Sequence, residues 1–85
     1  MKYLITYDLN SPGQNYNALY EAIKKLGDWQ HPLQNTWFVD SSYSASQIRD
    51  HLKEVVDRND KIFVCEIGTW ASWDMSDASD WLNNR

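Results

Sequence analysis

Apolar and polar residues alternate over the first stretch of the chain, KYLITYDL at positions 2–9. Tyr3, Ile5 and Tyr7 fall on one side of this pattern, and Asp8 closes the other side. Alternation of this kind predicts a β-strand with one face in the core. The residues NSPG at 10–13 have the composition of a loop.

Helical spacing replaces the alternation further along the chain. Tyr16, Leu19, Ile23 and Leu26 form one apolar stripe. Gly27 follows, at a place where the end of a helix favours a residue that tolerates a positive φ. This segment is therefore predicted to be a helix of about three turns.

A second helix is predicted from its capping residues. Ser44 and Gln47 have the spacing of a capping box, in which each side chain accepts a bond from the other residue's backbone N–H. The apolar stripe of this helix consists of Ala45, Ile48, Leu52 and either Val55 or Val56.

Short aromatic and β-branched segments predict three more strands. Residues 29–33 and 36–40 are predicted to pair as a hairpin around Gln34 and Asn35. Pro32 indicates an edge strand or a bulge, because proline has no N–H to donate to a neighbour. Residues 61–68, KIFVCEIG, are predicted to form a fourth strand with apolar groups on both faces.

The predicted order β-α-β-β-α-β is that of the ferredoxin-like plan, an α+β fold in which two helices cover one face of a four-stranded antiparallel sheet. Residues 1–85 are expected to form this single domain, with 69–85 as a C-terminal extension. Ser76 is predicted to cap a last short helix in the extension. We expect the other face of the sheet to be buried by the extension or by a second subunit.

Composition limits the classes of protein that fit. The 85 residues include one cysteine, Cys65, so no disulfide forms within the chain, and a lone thiol is typical of a reducing compartment. The longest apolar runs fall far short of the about 20 residues of a membrane span, and residues 1–10 lack the pattern of a signal peptide. We therefore expect a cytoplasmic protein without a membrane partner.

Charge and aromatic content bear on the partners. A net charge of −4 argues against broad binding to a phosphate backbone, so any contact with nucleic acid is expected to be local. Trp37, Trp70 and Trp73 are candidates for stacking on bases or binding a partner, with core or interface packing as the alternative. The cations that would contact phosphates, or else solvate helix faces, are Lys2, Lys24, Lys25, Arg49, Lys53 and Arg58.

Asp8 is the leading candidate for chemistry, since the sequence has no phosphate loop, paired cysteines, zinc-binding motif or nucleophile elbow. A carboxylate at the end of an apolar strand is expected at the rim of the sheet. One such group from each chain of a dimer would suit Mg²⁺ or Mn²⁺, which prefer oxygen ligands. The alternative is that Asp8 bonds the backbone amides of residues 10 and 11 in a turn.

The remaining reactive side chains carry weaker hypotheses. His31, on a predicted hairpin strand, is a candidate general base, with an ordinary surface position as the alternative. His51 lies off the apolar stripe of its helix and is assigned no role. Cys65 is interpreted as a buried structural thiol, because no histidine is paired with it in the sequence.

Several segments give the chain a family resemblance: YLITYDLN, YNALYEAIKKLGDW, LQNTWFVD, SASQIRDHLK and DKIFVCEIGTWASW. Over nearly its whole length the chain resembles the small SinR-like proteins, which belong to the ferredoxin-like superfamily of the second universal CRISPR adaptation protein, here called Cas-two. The toxin-like VapD ribonucleases share this plan.

The resemblance implies a homodimer in which the aspartate that ends the first strand faces its twin across the two-fold axis. In Cas-two proteins this aspartate is proposed to bind a divalent metal and to cleave phosphodiesters, and it matches Asp8. The hairpin motif of the family matches Gln34 and 36–38 loosely. Cas-two proteins commonly carry basic residues after the first strand, where this chain has SPGQ at 11–14.

Two hypotheses of function follow. The first is a dimeric nuclease, acting on RNA or DNA, in which Asp8 holds Mg²⁺ or Mn²⁺ and Asn10 or His31 places water or substrate. The second is a non-catalytic dimer that binds a protein, a nucleotide or nucleic acid through its aromatic surface, as a scaffold in phage defence or in a toxin–antitoxin type of system.

Overall fold

A computed structural model of the protein describes residues 1–11 and 16–85. Within these ranges the chain is an α+β domain with one open antiparallel sheet of four strands and three helices. The elements are β1 (Lys2–Asp8), α1 (Asn17–Lys24), β2 (Asp28–Leu33), β3 (Thr36–Asp40), α2 (Ala45–Lys53), β4 (Lys61–Glu66) and α3 (Ser76–Asn83). Of the predicted loop at 10–13, Pro12 and Gly13 lie outside the described residues.

The strands lie in the order β2-β3-β1-β4, and each neighbouring pair is antiparallel. The central strand β1 shows the predicted alternation, since Tyr3, Ile5 and Tyr7 are buried on one side. This side is called the first face of the sheet. The stripes of α1 and α2 pack on it through Leu19, Ile23, Ile48 and Leu52.

A local signal sets the start of α2, whereas α1 ends at Lys24 with Lys25 as its cap, before the glycine predicted to end it. The predicted capping box is present, with Gln47 N–H donating to Ser44 Oγ and Ser44 N–H donating to the Gln47 side chain. Gly27 lies beyond the end of α1, where a close approach requires glycine. A Cβ there would lie 2.0 Å from the Asp40 carbonyl oxygen.

Of the two alternatives for Pro32, the edge position is confirmed. Its strand β2 lies at the edge of the sheet, where proline is tolerated because no strand on the outer side needs its N–H. The register of β2 with β3 also shifts between Gln30 and Leu33, as it does at a bulge. The hairpin turns at Gln34 and Asn35, as predicted.

The C-terminal extension packs on the second face of the sheet, on its own chain. Ala78 and Leu82 of α3 are buried against Phe38. The predicted cap is wrong by one position, because the helix starts at Ser76 and is preceded by Met75, which supplies no side-chain cap.

The second face is covered over only part of its area. The fourth strand ends at Glu66, two residues earlier than predicted, and its Phe63 side chain is 62% exposed. Cys65 is half-buried rather than buried. Among the described helices, none has both the length and the apolar character needed to cross a bilayer.

Candidate functional site

A cleft opens at the end of β1, where the buried strand reaches the surface. The volume of the cleft is about 340 Å³, which is within the range of ligand sites. The lining residues are Tyr7, Asp8, Leu9, Tyr20, Gln34 and Asn35. Three elements therefore build the cleft: the end of β1, one side chain of α1 and the turn of the β2–β3 hairpin.

Tyr7 fixes the inner wall of the cleft. Its hydroxyl accepts a hydrogen bond from Trp37 Nε1 at 2.9 Å and donates to the Gln34 carbonyl at 3.3 Å. Burial raises the pKa of this phenol, against the lowering effect of the bond from Trp37. The backbone N–H of Tyr7 also donates to the Asn35 carbonyl at 3.3 Å, so the hairpin turn is tied to the end of β1.

Asp8 lies at the mouth of the cleft and is exposed. Within the described residues, its carboxylate makes no hydrogen bond or ion pair, whereas its backbone carbonyl accepts a bond from Asn10 Nδ2 at 3.3 Å. Lys61 lies opposite Asp8 in the register of β1 with β4. The carboxylate is thus free to accept a ligand.

The turn after β1 is held by a different carboxylate. The backbone N–H of Asn10 donates to Asp60 Oδ1 at 2.7 Å, and that of Ser11 donates to the Tyr16 hydroxyl at 3.2 Å. The alternative role of Asp8, bonding these two amides, is therefore wrong: both are already used elsewhere.

Asp60 is the centre of this loop network, and sequence reasoning missed it. Its carboxylate also accepts bonds from the Tyr16 hydroxyl at 2.9 Å and from the Asp57 N–H at 2.8 Å. Partial burial alone would raise the pKa of Asp60, but the bonds from Asn10, Asp57 and Tyr16 outweigh it and lower the pKa. The pKa of Tyr16 is raised, by desolvation and by its bond to this carboxylate.

His31 lies outside the cleft that contains Asp8. It is exposed on β2, and its ring stacks on Trp37 with the ring centres 3.9 Å apart and an angle of 11° between the planes. His31 Nε2 lies 3.1 Å from the Gln34 carbonyl, to which it donates when protonated. The histidine therefore meets the cleft through the backbone of the hairpin turn and through the ring of Tyr20, whose centre lies 6.3 Å from its own.

The three candidate tryptophans have different surroundings. Trp37 is 2% exposed, which leaves no ring face for a nucleotide, so the base-stacking role suggested for it is wrong and the core-packing alternative holds. Trp70, in the extension itself, is half-buried and packs against the cluster around Phe38. Trp73 is 91% exposed. Of the three, Trp73 alone presents its whole side chain to solvent.

Several basic side chains named for phosphate contact already have partners. Arg49 Nη2 and Lys53 Nζ lie 3.0 and 3.8 Å from the same carboxylate oxygen of Asp50. Lys24 Nζ lies 5.1 Å from the ring centre of Trp29. Because these groups are exposed, each pair is weak, and a strong anion would displace it.

Asp8 is the one carboxylate among the described residues that line the cleft. Among the described residues, no group of three or more His, Cys, Asp or Glu side chains is placed to hold a metal. Mg²⁺ is commonly bound through one or two carboxylates together with water and substrate phosphate, so Asp8 fits such an ion as part of a larger ligand set.

No protein-family model matches the chain.

Proposed function

We propose that the protein is a homodimeric, Cas-two-like nuclease that hydrolyses phosphodiesters of RNA or DNA at Asp8. The observation that supports this most is the state of the Asp8 carboxylate: exposed, without a partner among the described residues, and at the mouth of a 340 Å³ cleft. This carboxylate lies beside a cleft that the buried end of β1 helps to build.

The proposed fold is the ferredoxin-like plan, and the order of the strands supports it. Counted from the β4 edge, the strands follow the order 4-1-3-2, so β1 lies between β4 and β3. The helices α1 and α2 share the first face. Cytoplasm is the proposed location.

Asp8 and its counterpart in the second chain would hold Mg²⁺ or Mn²⁺. The ion would neutralise charge on the phosphate and activate water. The chain's own residues position the carboxylate. Asn10 Nδ2 donates to the carbonyls of Asp8 and Asn59, at 3.3 and 3.1 Å, and so fixes the end of β1. We propose Asn10 as a residue that positions Asp8. His31 would act on the cleft through the Gln34 carbonyl, which lies 3.1 Å from its Nε2.

The test is cleavage of labelled single-stranded RNA and of duplex DNA with Mn²⁺ or Mg²⁺. We expect Asp8→Asn, which keeps the shape and removes the charge, to abolish cleavage while circular dichroism stays unchanged. Asp80→Asn, at an exposed carboxylate on α3, is the matched control. Cleavage that persists in Asp8→Asn, or that survives chelation of metal, contradicts the proposal.

A second candidate function is a non-catalytic binding module, and the exposure of Trp73 favours it. Tryptophan is enriched at protein interfaces, and the Trp73 side chain is 91% exposed. In this alternative the dimer is a scaffold for a protein or nucleic-acid partner in phage defence. Wild-type protein that binds a strand without cutting it, with or without Asp8, would support this alternative over the first.

A further inference from the structure

A second cavity, here called the tail groove, lies between the second face of the sheet and the C-terminal extension. Its volume is 210 Å³. Leu4 and Phe38 of the sheet form one side, and Trp70, Met75 and Leu82 of the extension form the other. The lining is mostly apolar, so water gains few hydrogen bonds there.

Trp73 stands beside the tail groove without entering it. Its neighbour Ser72 lines the groove, whereas the Trp73 side chain is 91% exposed. The segment is constrained, because the hydroxyls of Ser72 and Ser79 are hydrogen-bonded and Asp74 has a left-handed backbone with a φ of 57°. Trp73 is therefore held outward by a defined turn, which lowers the entropy lost when it is buried by a partner.

Other apolar side chains surround the groove on the same face. Leu33 lines the groove and is 49% exposed. Phe63, 62% exposed, lies opposite Thr6 in the register of β1 with β4 and shares the second face with it. A domain of this size rarely exposes so many large apolar groups on one face unless they are covered by a partner.

We infer that the second face is the surface on which two copies of this chain meet, with Trp73 of each copy inserted in the tail groove of the other. The occupant is argued from self-complementarity: the protruding ring and the apolar cavity belong to one chain, so a two-fold axis satisfies both at once. A cavity of about 150 Å³ holds a benzene molecule. The tail groove, at 210 Å³, therefore admits a larger aromatic ring.

A pairing of this kind needs a modest share of the molecular surface. A standard interface buries about 800 Å² on each partner, which is about one seventh of the accessible surface of 5656 Å². Lys61 and Asp8 lie side by side on the second face, so this pair adds no net charge to it.

The inference rests on the proposed homodimer and extends it, since it names the surface and the anchoring residue. It also concerns the proposed metal site. Asp8 belongs to the second face, because it continues the series of Leu4 and Thr6 along β1. Pairing through this face brings the two Asp8 carboxylates to one interface, and neither chain completes the site alone.

The first test is sedimentation of wild type, Trp73→Ala and Tyr43→Ala from about 1 to 100 µM. Trp73 is almost fully exposed, so its removal leaves the fold intact. We expect a wild-type dimer, a dimer constant at least about thirtyfold weaker in Trp73→Ala, and no change in Tyr43→Ala, which removes a surface ring 39% exposed elsewhere. A Trp73→Ala dimer as stable as wild type overturns the inference and leaves the proposed homodimer standing. A monomeric wild type overturns both.

The second test locates the ring. A Trp73→p-benzoylphenylalanine variant, mixed from ¹⁵N-labelled and unlabelled chains, is irradiated and its cross-linked peptides are mapped by mass. We expect cross-links between chains of different label that end on Leu33, Phe38 or Met75. Cross-links found only within one chain, or only on the first face, contradict the insertion of Trp73 in the partner's groove.

Discussion

The hydroxyl of Tyr7 provides a sharp test of how the cleft is built. In Tyr7→Phe the ring stays and one oxygen is lost, so the N–H of Trp37 loses the acceptor that lies 2.9 Å away. Trp37 is 2% exposed, so its N–H has little access to water. An unsatisfied buried donor costs about 1–3 kcal/mol. For a domain of this size, each kcal/mol lowers the melting temperature by about 4–8 °C.

The assay is urea unfolding followed by circular dichroism, with Tyr43→Phe as the control because that hydroxyl is on an exposed ring. Trp37→Phe and the double variant complete a cycle. We expect the loss in the double variant to be smaller than the sum of the two single losses, because removal of the donor relieves the unpaired group. A Tyr7→Phe protein no less stable than Tyr43→Phe would refute the reasoning.

Further predictions concern the loops and the glycine contact. Gly27→Ala should destabilise the fold by more than about 1 kcal/mol, because the new Cβ would lie 2.0 Å from the Asp40 carbonyl oxygen. Gly68→Ala, where the new Cβ has no atom within 4 Å, should not destabilise it, and the urea midpoints of the two variants test the difference. Asp60 has a lowered pKa, so its ionised form stabilises the fold above the ordinary carboxyl pKa, and this contribution is lost as the pH falls through the folded pKa. The stability gap between wild type and Asp60→Asn, measured by urea unfolding from neutral pH downward, should therefore close in acid; a gap that stays constant contradicts the network.

Much of the fold could be predicted from local patterns. The alternation along β1 and the Ser44–Gln47 capping box depend on residues close in sequence, and both are present in the structure. Pro32 gave two alternatives, an edge or a bulge; its strand lies at the edge of the sheet, and the register shifts beside it. The cap of α3 was misplaced by one residue, since Ser76 is a good cap by type but the turn before it places Met75 there.

The candidate site was less accessible to such reasoning. Asp8 could be singled out because an acidic residue ends an apolar strand. The role of Asp60 could not, since its bonds to Asn10 and Tyr16 span 50 and 44 positions. Trp37 and Trp73 have the same side chain, and only the tertiary fold separates a buried ring from an exposed one.

Titration of Mn²⁺ into the wild-type dimer in a calorimeter tests whether Asp8 holds a divalent ion shared by two chains. We expect one ion for each pair of chains, unchanged binding in Asp80→Asn and no binding in Asp8→Asn. Binding that is equally strong in Asp8→Asn, or an intact wild-type dimer that binds no Mn²⁺ even in the presence of a non-cleavable strand, would contradict this expectation.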